Sequence, residues 1–446
     1  MSVLKKTFRG GVHIKDEKHW SKDKPIKDHH PTGDLIFLMN QHIGKPAVPC
    51  VSAGERVLVG QRIADADGFV SVPVISSVSG TVKSVAAHEC YNGDTALAIT
   101  IVNDGKDEQI NGFIKYRDFT KMTKEEIINA VKDAGIVGMG GAGFPTHVKL
   151  SVAPDKKIDY IICNGAECEP YITCDYRLMI ERAPLAVLGM RIVLSLFDGA
   201  KGIFGIEANK PEGIKKVVEA CEGVKNISVV PLKKKYPQGG ERVMITALTK
   251  RRINSKMLPA DAGCIVLNFS TMSAIAEAVA FSKPLVHRIV TVTGDAVNEP
   301  SNFDVPTGTN IAELVEAAGG LKCEPEKIIF GGPMMGAAVY TLDVPVNKAT
   351  SCILLLKKNM SVPEPHECIR CGKCLSVCPE HLMPIKLKNT ADANDYAEFE
   401  KLNGLECIGC GCCTYICPAK RRLSQSITAA KQFVIAEKKK KAQVKK

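Results

Sequence analysis

With 446 residues, 45% of them hydrophobic, the chain is long enough for three to five domains with buried cores. Aromatic residues make up only 5% and Trp20 is the sole tryptophan, which argues against a stacking platform for nucleic acid; no run of 18 uncharged apolar residues offers a membrane span. The net charge of +11 is local rather than global, because Lys420 to Lys446 contain ten basic residues and one acidic, leaving the body close to neutral.

Residues 1–45 are rich in Lys, His and Pro and are expected to form an extended arm lying on a neighbouring domain. From 46 to 105, short period-two runs separated by glycines predict a small β sandwich. Its phrasing resembles the biotinyl/lipoyl barrel-sandwich hybrid domain. The central turn, Asp65 to Phe69, carries no lysine to modify, so packing rather than group carriage is expected.

Residues 120–289 alternate helix and strand. Thr123 and Glu126 form a capping box opening a helix that stops at Gly135. Strands are expected at 159–163, 202–207, 227–231 and 264–268, with helices at 211–221 and 240–248, so the pattern predicts a Rossmann-like parallel sheet covered on both faces. Ligands of such sheets bind at the carboxyl ends of the strands. Asn164, Glu167, Glu169, Glu207 and Asn268 gather at those ends. Before the first strand lies a loop with four glycines, Gly138, Gly140, Gly141 and Gly143, followed by Phe144, Pro145 and Lys149. A helix precedes it and a proline follows it, so the simple dinucleotide fingerprint does not apply. The loop can still bring backbone N–H groups to a phosphate, with Lys149 as a charged donor; a surface turn is the alternative.

Residues 290–346 suggest hairpin, capped helix and strand in a β-grasp-like unit, in which Met334 and Met335 are expected to fill core gaps. Met360 to Pro365 is a linker. Within 360–425 come two runs of C-x2-C-x2-C-x3-C-P, the first with Cys368, Cys371, Cys374 and Cys378, the second with Cys407, Cys410, Cys413 and Cys417. Doubled in this way, the run indicates an α-helical ferredoxin-like domain with two [4Fe-4S] clusters, the fourth cysteine of each run serving the other cluster. Structural zinc normally shows isolated C-x2-C pairs instead. Cys412, the ninth cysteine of the block, is expected to be a bystander. The remaining cysteines are scattered singly, which fits a reducing compartment rather than a disulfide framework. In the basic tail, 426–446, a helical stretch is expected to reach Ile435, and the lysine runs beyond it are expected to be solvated and disordered, or to meet anionic lipid or an acidic partner.

The glycine loop resembles the flavin loop of the flavoprotein subunit of respiratory complex I and of NAD-linked hydrogenases, and the segment Asn164 to Pro170 resembles that family's N-x-x-E-x-E-P. Complex I usually has an arginine where this chain has Met139 and an aspartate where it has Ala166. Together with the sandwich domain and the cysteine runs, nearly the whole chain resembles the RnfC family of ferredoxin:NAD oxidoreductase subunits. That resemblance implies FMN on the glycine loop and NAD(H) beside it, with Glu169 and Glu207 as the groups acting at the nicotinamide, Glu167 and Phe144 near them, and Tyr236 toward the adenine half. It also implies membrane-embedded and ferredoxin-like partner subunits, an indirect link to ferredoxin, a β-grasp unit of the SLBB type, and a peripheral place on the cytoplasmic face of the membrane. A soluble microcompartment flavoprotein that reduces cobalamin shares the architecture, and a relay or scaffold that has lost NADH binding is the non-enzymatic reading.

Overall fold

The structure, a computed structural model, describes residues 5–360 and 364–444. Part of the expected Met360 to Pro365 linker, and Lys445 and Lys446 of the tail, lie outside the described residues.

The central body is a four-stranded parallel sheet in the order Ile227–Leu232, Lys201–Glu207, Tyr160–Gly165, Cys264–Asn268. Its strands are apolar on both faces, as a sheet covered twice requires. Ile161, Cys163, Phe204, Ile265 and Leu267 enter one core, and Ile162, Ile203 and Val266 enter the other. The helix Phe269–Phe281 is buried almost all round, and the helix Ala183–Leu194 crosses it at Gly189. A Cβ at Gly189 would stand 1.9 Å from the Met272 carbonyl oxygen, so only glycine permits that approach. Lys124–Asp133 is the expected capped helix: Thr123 Oγ1 accepts from the Glu126 amide while Glu126 Oε2 accepts from the Thr123 amide.

The first forty-five residues are more structured than an arm. Leu35–Leu38, all buried, pairs antiparallel with Thr95–Asn103 in the sandwich sheet, and Ile26–Asp28 pairs parallel with Ser301–Pro306 in the β-grasp sheet. Residues 6 to 21 do behave as a strap. The Lys6 amide donates to Pro231 O (3.1 Å), Val12 and Tyr236 exchange two backbone hydrogen bonds (2.8 and 2.9 Å), and the Gly11 amide donates to Val377 O (2.7 Å). The strap thus covers one edge of the parallel sheet, where open N–H and C=O groups would otherwise be exposed, and ties the cysteine domain to it.

The β-grasp sheet has six strands and runs past residue 346, because Cys352–Leu356 pairs with both His287–Thr293 and Lys327–Phe330. Met334 is partly buried beside the cysteine domain, but Met335 is 60% exposed and fills no core. After the cysteines, Leu423–Val444 forms one helix of 22 residues, so the basic stretch through Lys441 is helical rather than disordered. Val434 is buried in that domain's core.

Candidate functional site

The parallel sheet reverses its strand order between Tyr160–Gly165 and Cys264–Asn268, and the carboxyl ends at such a reversal leave a crevice. Asn164 and Asn268 stand at those two ends. The glycine loop folds over the crevice, closed by a hydrogen bond from the Gly138 amide to Phe144 O (2.8 Å) and pinned by the Met139 amide on Thr271 Oγ1 (2.9 Å). Gly140, with φ of 77°, lies so close to Asn268 that a Cβ would stand 2.9 Å from its Nδ2. At Gly141 a Cβ would meet nothing within 4 Å, so this glycine faces open space, whereas Gly143 is turned inward against Gln41 of the sandwich domain. Asn268 caps its helix by accepting from the Ser270 amide (2.8 Å) and donates to Asp175 (2.6 Å). Asn164 donates to Gly239 O (2.7 Å). Gly239 and Gly240 lead into the helix Glu241–Thr249, whose start no side chain caps. Lys149 lies beside that start, 2.8 Å from Glu241 Oε1 and 3.2 Å from Val266 O. Open amides, a helix N-terminus and a lysine suit the phosphate of a planar cofactor laid along the loop. Sequence reasoning missed Gly239, Gly240 and Glu241 as part of this site, although two glycines before a helix opening on an acidic residue were the available signal. Opposite Met139, the buried Arg288 guanidinium arrives from the β-grasp sheet and contacts its sulfur.

The acidic residues expected beside the nicotinamide are placed elsewhere. Glu167 Oε1 accepts from the Asp175 amide (2.7 Å) and caps the helix Cys174–Glu181, while its Oε2 lies 3.4 Å from Lys18 Nζ and 4.0 Å from Lys210 Nζ. Glu207 accepts from the Lys235 amide (3.0 Å) and lies 3.7 Å from Lys210. These carboxylates and both lysines are almost wholly inaccessible, under the strap that carries Lys18. Burial pushes Glu167 and Glu207 up and Lys210 down, each toward its neutral form, and the opposite charges in the cluster counter that push. Glu169 turns toward the β-grasp domain and accepts from the Met334 amide (3.1 Å). Glu167, Glu169 and Glu207 therefore tie the strap and domains together. Tyr236 is 1% exposed and packs with Val12, Cys410 and Cys412, and with Glu207, Lys18 and Cys168 it lines a cavity beneath the strap.

Burial raises Glu169 to about 7. A carboxyl whose pKa is higher in the fold than in the unfolded chain favours the fold at low pH, an advantage that disappears as pH rises through the folded value. Stability should fall by up to about 3 kcal/mol between pH 4.5 and 7 from this group alone. Glu169→Gln should flatten that part of the urea-midpoint profile; an unchanged slope would refute the assignment.

Cys378 lies with the cysteines of the second run, and Cys374 with Cys368 and Cys417. Burial raises the Cys378 thiol, and Cys410 and Cys407 act on it in the same direction; Cys413 is likewise influenced by Cys410, Cys407 and Cys378. These four line one hollow with Leu382, Leu387 and Ile408. Burial also raises Cys374, which lies beside Cys417 and Cys368. Among the described residues no three His, Cys, Asp or Glu side chains are arranged to hold a single ion. The inner shell is pressed onto the parallel-sheet domain, where Arg242 binds Glu380 (3.5 Å) and Glu406 (2.8 Å). Cys412, outside both runs, is fully buried at that junction, its thiol donating to the Tyr236 carbonyl oxygen (3.8 Å).

Four family models match in order: the RnfC barrel sandwich hybrid domain over residues 6–106, the Nuo51 FMN-binding domain over 131–277, the SLBB domain over 289–338 and the 4Fe-4S dicluster domain over 367–420. A component of the proton-translocating ferredoxin:NAD(+) oxidoreductase complex of Clostridium ljungdahlii is 46% identical over 95% of this chain and 93% of its own. The chain belongs to the RnfC family. Another RnfC relative, from the Na(+)-translocating ferredoxin:NAD(+) oxidoreductase complex of Acetobacterium woodii, is 42% identical over 99% of this chain and all of its own. A third, from the ion-translocating oxidoreductase complex of Pseudomonas aeruginosa, is 40% identical over 87% of this chain, which spans half of that longer RnfC protein. An NAD+-reducing [NiFe]-hydrogenase shares the fold, with a TM-score of 0.50 at 20% identity, over 65% of this chain and 55% of its own. No helix among the described residues of this RnfC chain is long and apolar enough to cross a membrane.

Proposed function

We propose that this chain is the electron-input subunit of an ion-translocating ferredoxin:NAD oxidoreductase, exchanging hydride with NAD(H) and passing single electrons onward. The observation that carries this reading is the continuity of the site: the Gly239 amide at the crevice donates to Cys168 Sγ (3.3 Å), and Cys168 packs with Tyr236, Cys412 and Cys410 of the inner shell. Gly138, Gly140 and Gly141 with Lys149, Asn164, Asn268 and the Gly239–Gly240 turn would hold FMN. Bound there, FMN supplies the conversion between a two-electron hydride and one-electron carriers. The chain keeps the route between flavin and inner shell dry with Tyr236 and Val12, and fixes its geometry through the strap and Arg242. Its place is peripheral, on the cytoplasmic face of the membrane, against the other subunits of the complex. Relatives of similar identity are named for proton and for Na(+) translocation, and we assign the choice of ion to those other subunits.

Anaerobic NADH should bleach the flavin and cluster absorbance of the purified chain. No bleaching of protein that retains FMN would overturn the dehydrogenase reading. Gly141→Leu fills the open face, so flavin content should drop at least about tenfold while iron and melting temperature hold, since one lost phosphate contact set is worth more than about 1.4 kcal/mol. Gly143→Leu, at a φ of 69°, should instead cost about 1–2 kcal/mol of stability. Full flavin retention in the Gly141 variant would remove the loop from the site.

A further inference from the structure

The two cysteine shells face opposite ways. Cys378, Cys410 and Cys413 are buried against the rest of the chain, whereas Cys368 and Cys371 are exposed. Around the exposed shell the surface has a composition of its own. Ile369, between two ligands, is 67% exposed; Leu375, next to Cys374, and Tyr415, two residues before Cys417, are also exposed. Single exposed apolar residues are ordinary, but here one precedes the helix Lys373–Ser376, one lies on it and one lies on the helix Cys412–Ile416 packed against it, a grouping around one set of ligands that water alone would not favour. Interleaved with them, Arg370, Lys373, Lys420 and Arg422 carry positive charge, and none is in an ion pair among the described residues. Glu364 and Glu367 are the acidic residues of the same loops, leaving the face net positive.

We propose that this face, the Ile369, Leu375 and Tyr415 collar with its rim of Arg370, Lys373, Lys420 and Arg422, is the docking surface for an acidic one-electron carrier protein or domain. The inference rests on the two-cluster reading above and adds the face and the charge of the partner. An apolar centre ringed by unpaired charge of one sign fits a partner that must arrive fast, seat its own redox centre close and leave again: the charges speed encounter, and the small dry patch excludes water without holding tightly. Carriers with acidic rims meet both requirements, and basic ones are repelled. An anionic membrane would also be drawn to the charges, but Ile369, Leu375 and Tyr415 sit on three separate segments instead of along one helix face, so the protein partner is favoured.

The test uses the full chain, purified anaerobically with its iron counted, and a small acidic two-cluster ferredoxin as the probe. Binding should weaken at least about tenfold between low and moderate salt, because exposed charges are screened over about 8–10 Å. Lys420→Glu with Arg422→Glu, which lie outside the ligand runs, should weaken binding at least about tenfold with iron and flavin contents unchanged, and should create affinity for a small basic cytochrome c. Ile369→Ser should shorten the lifetime of the complex more than it slows its formation. The proposal fails if the charge reversals leave ferredoxin binding intact, if cutting the chain after Ala436 abolishes binding while the charge reversals do not, or if the reversals abolish only adhesion to phosphatidylglycerol vesicles. A wild-type chain that binds ferredoxin equally well without iron refutes the cluster reading but leaves the face in place; a chain with about eight irons and no ferredoxin binding refutes the face alone.

Discussion

Replacing Cys378 with alanine removes one cluster's worth of iron, about four of about eight atoms per chain, and the cluster it removes is the one built on cysteines some thirty residues further along. Cys378 ends the first cysteine run, yet its thiol lies with Cys407, Cys410 and Cys413 around one hollow. The remaining shell, with Cys368, Cys371, Cys374 and Cys417, keeps its full set of ligands. Iron and acid-labile sulfide should therefore fall by half together, and the electron paramagnetic resonance spectrum of the reduced protein should lose the splitting produced by two nearby spins. NADH should still bleach the flavin, because nothing in the glycine loop has changed, but onward reduction should slow by orders of magnitude once the inner shell is gone. A variant that retains all its iron would show that Cys378 holds no cluster.

Lys210→Met should be among the most damaging single substitutions outside the cysteines. Lys210 is fully buried with Glu207 at 3.7 Å and Glu167 at 4.0 Å. Methionine fills a similar volume, so the loss isolates the charge: two buried carboxylates keep only Lys18 and backbone donors. Breaking a buried ion pair from one side costs about 3–5 kcal/mol, a large part of the about 5–15 kcal/mol that holds a domain together. The urea midpoint should fall accordingly at neutral pH. The loss should shrink as pH is lowered, since burial already raises Glu207 and Glu167 and protonation removes the uncompensated charge. Adding Glu207→Gln should restore part of the stability; an unaltered midpoint in Lys210→Met would mean the cluster contributes nothing.

The strands of the parallel sheet were legible because each is a short apolar run bounded by turn residues; those at 202–207, 227–231 and 264–268 lie within a residue of their expected ends. The cysteine ligands were legible because a cubane dictates spacing along one loop. The roles of Glu167, Glu169 and Glu207 were not. Their position at strand ends is visible in the sequence, but what decides their chemistry is Lys18, 149 residues from Glu167, and Met334, 165 residues from Glu169. Long-range partners of this kind leave no local trace. The same holds for Arg288 and Met139, which meet across 149 residues. Leu35–Leu38 was hidden for a different reason: all four residues are buried, so the strand lacks the alternation that marks a half-exposed one.

The strap also sets an order of events on the ribosome. Its residues leave the exit tunnel before the segments they bind: Val12 waits for Tyr236 and Gly11 waits for Val377. At about 5–20 residues per second the latter gap corresponds to roughly 20–70 s of translation. Lys18 needs only residues up to Ile172, so the buried carboxylates can be paired early, and the strap can lie on the α/β body once Tyr236 is made. The contact that waits longest lies one residue before Cys378, so the tie between strap and cysteine domain is the last of these to close.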